Sequence, residues 1–152
     1  MNKFTNADKN GQTILLNQLE KIFDGYTVNV TQHYQDNATV DVDMYVTNNT
    51  TNNTYLYNIE TKDREYTHTY FKEWLIEEHK VKELLAKNGK PIYANTFKDK
   101  WLIMWDLSKI DFSKVRSEYK WLPDTTVIKK GNKKKLVYYL PVDMAVYSSP
   151  FL

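Results

Sequence analysis

Apolar and polar positions along this chain switch between two periods, and the switches outline its elements. Leu15, Leu19, Ile22 and Phe23, with Ile14 and Leu16 beside them, recur at helical spacing over residues 13–23, and Asp24-Gly25 closes the stretch. An amphipathic first helix is predicted. Residues 26–31 read as a short strand. Residues 38–46 read as a stronger one, because Val40, Val42, Met44 and Val46 alternate with Asp41, Asp43 and Tyr45. The polar tract 47–54 predicts a hairpin loop, and the returning strand 55–62 sets Tyr57 and Ile59 against Leu56, Asn58, Glu60 and Lys62.

Over residues 70–87 the apolar stripe of Phe71, Trp74, Leu75, Val81, Leu84 and Leu85 predicts a second helix, ended by Asn88-Gly89 and Pro91. Strands follow at 92–97 and 101–107, a weakly helical stretch at 111–119, and a last hairpin of 125–130 with 135–140. This order predicts an α/β (α+β) fold with a mixed sheet and helices on its faces. No repeat, linker or composition break divides the chain, so 1–152 is expected to be a single domain.

Composition narrows the function classes. The chain has 152 residues and no cysteine, which excludes a disulfide framework, a thiolate zinc site and a cysteine nucleophile. Aromatic residues make up 14% of it, too many for a disordered segment. No apolar leader and no run of about 18 apolar residues is present, so a soluble, cytoplasmic protein with no membrane partner is expected. The net charge of +2 is unremarkable, but Lys129, Lys130, Lys133, Lys134 and Lys135 crowd a Gly131-Asn132 turn. Such a cluster suits phosphates, and equally a solvated hairpin tip.

Ionisable groups should converge on the strand pair carrying Asp41, Asp43, Glu60 and Lys62. Alternate residues of a strand share a face, and opposed residues of antiparallel neighbours have Cβ atoms about 4.5–5.5 Å apart. Placing Asp43 opposite Glu60 leaves residues 50–53 as the loop. Placing Asp41 there instead, with an equally tight closure, puts Thr50-Thr51 in a two-residue turn, where β-branched residues resist the positive φ required. The Asp43 register is therefore preferred, and both registers put two carboxylates and one ammonium on one face. Hard carboxylate oxygens at that separation suit Mg²⁺ or Mn²⁺, with the Thr61 carbonyl as a further ligand. Lys62 could then orient an attacking water or stabilise developing charge on a phosphodiester. The tripeptide Glu-x-Lys also occurs at 78–80 and 118–120, but only Glu60-Thr61-Lys62 ends an alternating strand that follows one bearing Asp. A solvated face with cross-strand ion pairs is the bland alternative.

The succession of a helix, a strand ending in Asp43-Met44-Tyr45-Val46, a turn, the segment Tyr57-Asn58-Ile59-Glu60-Thr61-Lys62-Asp63-Arg64 and an amphipathic helix resembles the PD-(D/E)XK nuclease superfamily. The likeness spans residues 11–107 and implies a restriction-endonuclease-like αβββαβ core, with 108–152 as a C-terminal β-hairpin extension. It also implies Mg-dependent endonuclease activity on DNA, with RNA not excluded. By position, Asp43 and Glu60 would be metal ligands and Lys62 the catalytic lysine. No proline precedes either aspartate. The acidic residue that many members carry on the first helix would be Glu20, unless Gln12 takes that place. Lys80, which would share a helical face with Glu73 and Glu77, is the candidate for the polar residue of the second helix.

His33, His68 and His79 form no pair at metal-ligand spacing and are read as structural or exposed. Trp101, Trp105 and Trp121 could stack bases, with core packing preferred for Trp105. Arg64, Arg116 and the five clustered lysines are the expected phosphate contacts. A homodimer would suit cleavage of both strands, and the Asn, Lys and Tyr usage suits an AT-rich phage or mobile-element genome. Two alternatives stand beside the nuclease: a non-catalytic nucleic-acid-binding module on the same fold, and a structural or interaction component of a phage particle.

Overall fold

The computed structural model describes residues 6–32, 42–123 and 132–151. Helix α1 (Asn6–Ile22) is followed by strands β1 (Tyr26–Gln32), β2 (Val42–Asn48) and β3 (Thr54–Arg64). A crossover holding β4 (Glu73–Glu77) and helix α2 (Glu78–Leu85) leads to β5 (Lys90–Phe97) and β6 (Trp101–Asp106). Two short 3₁₀ turns precede the long pair β7 (Arg116–Pro123) and β8 (Asn132–Pro141), and β9 (Tyr147–Pro150) closes the chain. The result is an α+β fold with a mixed main sheet ordered β1-β2-β3-β5-β6-β9 and a second sheet ordered β4-β8-β7. Only β3 and β5 pair in parallel among the described strands, as a crossover connection requires.

The main sheet is covered on both faces around β5 and β6. Towards α1, Val42, Met44, Val46, Ile59, Ile92, Ala94, Leu102 and Met104 pack beneath Leu15 and Leu19. On the other face, Tyr93, Phe97, Ile103 and Trp105 meet Trp74, Ile76 and Leu140 of the second sheet and Val81 and Leu84 of α2. Trp105, fully buried, donates its indole N–H to the carbonyl of Pro141 at 2.8 Å and so ties the two sheets together.

Four sequence expectations require correction. The helix expected over 70–87 is a strand followed by a short helix. Glu73–Glu77 buries alternate residues, Trp74 and Ile76, and pairs with β8 through Trp74↔Leu140 and Ile76↔Tyr138. Its apolar positions satisfied both periods, and a partner remote in sequence decided between them. The weak helix at 111–119 is a 3₁₀ turn running into β7. Asp106 and Asp111 each accept from the backbone N–H of the serine two residues on, and these local bonds favour turns over a continuing helix. The last hairpin pairs Arg116–Pro123 with Asn132–Pro141, so Asn132 is a ladder residue opposite Pro123 and not part of a tip. Residues 124–131, including Lys129 and Lys130, lie outside the described residues.

The fourth correction sets the geometry of the site. The register is Asp43↔Asn58 and Thr47↔Thr54, two residues away from the one that put Asp43 opposite Glu60. The Asn48 N–H donates to the Asn53 carbonyl at 2.9 Å, so the loop is still four residues long, but it is 49–52. Asn48 Oδ1 accepts from the backbone N–H of Thr50 (2.9 Å) and Thr51 (3.2 Å), and Asn52 takes the left-handed conformation at φ 60°. Asparagine tolerates that conformation, so neither threonine has to adopt it.

Candidate functional site

Strand β3 delivers the candidate side chains by its alternation. Ile59 packs towards α1, so Asn58, Glu60, Lys62 and Arg64 turn to the face covered by α2 and the second sheet. Asp43, paired with Asn58, shares that face. It is a diagonal neighbour of Glu60, an arrangement that separates Cα atoms by about 7–8 Å. The Asn58 side chain bridges the strands: Nδ2 donates to Asp43 Oδ1 at 2.7 Å, and Oδ1 accepts from the backbone N–H of Gly89 at 2.8 Å. Gly89 permits this approach, since a Cβ there would lie 2.5 Å from Asn58 Oδ1.

Glu60 is 7% exposed, and its Oε1 accepts from the Lys80 ammonium of α2 at 2.6 Å. Burial disfavours the Lys80 charge, but the Glu60 carboxylate more than compensates and holds the lysine pKa above its ordinary value. Lys62 is exposed at the end of the same row. Thr61 is buried opposite Ala94 with its side chain towards α1, so its backbone carbonyl is the group it could offer to a metal.

The other candidates are placed as follows. Glu20 is exposed on α1, a helix packed against the opposite face from Glu60. Asp41 lies outside the described residues. Arg64 is turned inward: Nε donates to Asn95 Oδ1 at 2.8 Å, one terminal nitrogen donates to the carbonyl of Leu75 (2.8 Å) and to the Tyr93 hydroxyl (3.0 Å), and the guanidinium lies over Trp74. That guanidinium fastens β3 to β4 and β5, which answers the expectation of a phosphate contact with a structural position. Lys133 and Lys134 are exposed on β8, while Lys135 is turned towards Glu77 at 3.5 Å. Glu73 and Glu77 belong to β4, so the shared helical face with Lys80 does not exist.

Beside Lys80, a second charged network joins β4, α2 and β8. His79 Nε2 is 2.6 Å from Glu77 Oε2, and its Nδ1 is 3.7 Å from Glu83. Burial raises the Glu77 pKa, but the His79 hydrogen bond and the charges of Lys80 and Lys135 outweigh it and pull the value down to about 2. The hydrogen bond to Glu77 raises the His79 pKa against the opposing effect of burial. His68 pairs with Asp99 at 2.5 Å and stacks on Trp101 with ring centroids 3.8 Å apart.

Sequence reasoning missed Asn58, the residue that links Asp43 to Gly89, and Gln18, a polar side chain 5% exposed on the buried face of α1. Asn58 carried one signal, its place in the same alternating row as Glu60. Asn95 is fully buried beside this row, and its Nδ2 has no acceptor among the described residues. No group of three or more His, Cys, Asp or Glu among the described residues could hold a metal ion. Among the described residues, no helix is long and apolar enough to cross a membrane. Comparison with protein-family models, with curated proteins and with solved structures finds no match to this chain.

Proposed function

We propose that this chain is a metal-dependent nuclease of the PD-(D/E)XK type that hydrolyses DNA phosphodiester bonds. The observation that carries the reading is the row on one sheet face: the buried Glu60 carboxylate, with Asp43 diagonal to it, Lys62 beyond it, and the Lys80 ammonium 2.6 Å away. A buried carboxylate in contact with a lysine also fits a structural ion pair; Lys62, exposed two residues further along the same row, supplies the amine that the nuclease reading calls for. The order helix, three-strand meander, helical crossover and parallel strand supports a restriction-endonuclease-like core.

The donor chemistry fits a hard divalent cation in type, with two carboxylates on one face and a main-chain carbonyl next in sequence. Asp43, Glu60 and the Thr61 carbonyl would hold Mg²⁺ or Mn²⁺. Such an ion, when bound, neutralises charge on a phosphate and lowers the pKa of a coordinated water. The remaining roles fall to the chain itself. Asn58 fixes the Asp43 carboxylate through its Nδ2 donor, and Lys80 positions Glu60 by fixing Oε1. Lys62, exposed at the far side of Glu60, would orient the attacking water and stabilise negative charge on the phosphoryl oxygens.

The test is a panel of plasmid and branched DNA incubated with Mg²⁺, Mn²⁺ or EDTA, with Glu60→Ala and Lys62→Ala run alongside. Cleavage that needs metal and is lost in both variants, with their circular dichroism unchanged, is the expected result. Mn²⁺ binding followed by calorimetry should weaken in Glu60→Ala and persist in Lys62→Ala. Cleavage absent with every metal, or undiminished in the variants, would overturn the reading.

A further inference from the structure

Among the described residues, the two most exposed large apolar side chains lie on the same strand. Tyr119 is 66% exposed and Trp121 67% exposed, both on β7, the edge strand of the second sheet. As alternate residues they point to one side of the ribbon, where Tyr119 is paired with Leu136 and Trp121 with Lys134. The Lys134 ammonium lies 5.7 Å from the centre of the Tyr119 ring. Neither ring belongs to either apolar core. Exposing two large π-faces on a sheet edge invites edge-to-edge association, so an aromatic pair held there calls for an occupant.

Charge selects the kind of occupant. Lys134 shares the face of the two rings, while Arg116, Glu118, Lys120, Lys133 and Lys135 turn to the other face of the β7–β8 ribbon. There Arg116 meets Glu73 at 2.6 Å and Lys135 meets Glu77 at 3.5 Å, so that among its described residues the ribbon keeps a net positive charge. A basic ribbon that displays flat aromatic faces complements a polyanion with planar bases, and a carboxylate-rich protein surface would leave the rings unused. Spacing selects the form. Alternate residues on a strand stand about 6.6–6.8 Å apart. That is about twice the ~3.4 Å rise per nucleotide of a stacked duplex strand. The two rings therefore match bases splayed apart along a single strand.

We propose that the β7–β8 ribbon is a binding site for single-stranded nucleic acid, with Tyr119 and Trp121 stacking two neighbouring bases and Lys134 contacting the phosphate between them. Lys120 and Lys133 are exposed on the opposite side of the ribbon and add to its positive field without touching the strand. The site is separate from the Glu60 row and concerns binding alone, so it holds whether or not the chain cleaves its ligand.

Trp121 reports on its own occupancy. Of the other tryptophans, Trp74 and Trp105 are buried, and Trp101 is stacked on His68. A 15-nucleotide oligothymidylate titrated into the full chain in EDTA should quench tryptophan fluorescence. Trp121→Ala should lose most of the quenching and weaken binding about 5- to 100-fold, while Trp121→Phe keeps most of the affinity. Lys134→Ala should make the dependence of log affinity on log salt shallower by about 0.7. Heparin, a polyanion without bases, should respond to the lysine change and ignore Trp121→Ala. Unchanged oligothymidylate affinity in Trp121→Ala would overturn the proposal. So would a duplex bound as tightly as the single strand with the same dependence on Trp121. In the wild-type chain, metal-dependent cleavage without oligothymidylate binding would refute this site alone, and oligothymidylate binding without cleavage under any metal would refute the nuclease reading alone.

Discussion

Removing the cation from Glu60 perturbs the link between α2 and β3 with little change of shape. The ammonium and carboxylate are 2.6 Å apart, with the Glu60 side chain 9% and the Lys80 side chain 40% accessible. At that distance Coulomb's law gives about 6 kcal/mol at an effective dielectric of ~20 and about 1.6 kcal/mol in bulk water. The accessible lysine draws the value towards the lower figure, and desolvation of the carboxylate offsets part of what remains. A net coupling of about 1–3 kcal/mol is expected. Urea denaturation of wild type, Lys80→Met, Glu60→Gln and the double variant at neutral pH isolates it as a double-mutant cycle. The Lys80 pKa is raised in the folded state, so its contribution is fully present below the unfolded value of about 10.4 and is lost only as pH rises through the folded one. The coupling should therefore stay constant between about pH 6 and about pH 9. A coupling below about 0.5 kcal/mol would refute the argument, because it would make the contact an ordinary surface ion pair.

Gly89→Ala should cost about 1–3 kcal/mol, since the added Cβ meets Asn58 Oδ1 at 2.5 Å and Leu56 Cγ at 2.8 Å while Asn58 is held by Asp43. Chemical denaturation at wild-type stability would mean that Asn58 can move aside freely. Arg64→Met should destabilise the fold by about 1–3 kcal/mol by stranding Asn95 Oδ1, while the Tyr93 hydroxyl keeps its bond to the Leu75 carbonyl. A variant of unchanged stability but weaker DNA binding would instead make Arg64 a phosphate contact. The Glu77–His79 contact should stabilise over a pH window. Glu77, lowered to about 2, contributes above its ordinary value and loses that contribution as pH falls towards 2. His79, raised, contributes fully below about 6.5 and loses it as pH rises through its folded value. NMR titration should place His79 above 6.5 in wild type and nearer 6.5 in Glu77→Gln. A wild-type value at or below 6.5 would contradict the geometry.

The amino-acid pattern by itself determined the elements whose period was backed by local chemistry. Helix α1 follows from Leu15 and Leu19 with Gly25 behind them, and β1, β3, β5 and β6 follow from alternation bounded by turn residues. Alternation also put Asp43, Glu60 and Lys62 on a common face, because the side-chain period of a strand is fixed at two and every even register shift preserves it. Which residues stand opposite one another was decided at the loop, where the Asn48 side chain and the left-handed Asn52 closed the hairpin at a place composition did not mark. Long-range pairing decided more. Glu73–Glu77 became a strand because β8 supplied its hydrogen bonds, and that choice removed Glu73 and Glu77 from the helix while leaving Lys80 to reach Glu60. Arg64 went inward because Asn95, Tyr93 and the Leu75 carbonyl, all remote in sequence, converged as its acceptors. Local sequence carries the period of a segment, but the partners that satisfy its polar groups exist only once distant segments have met.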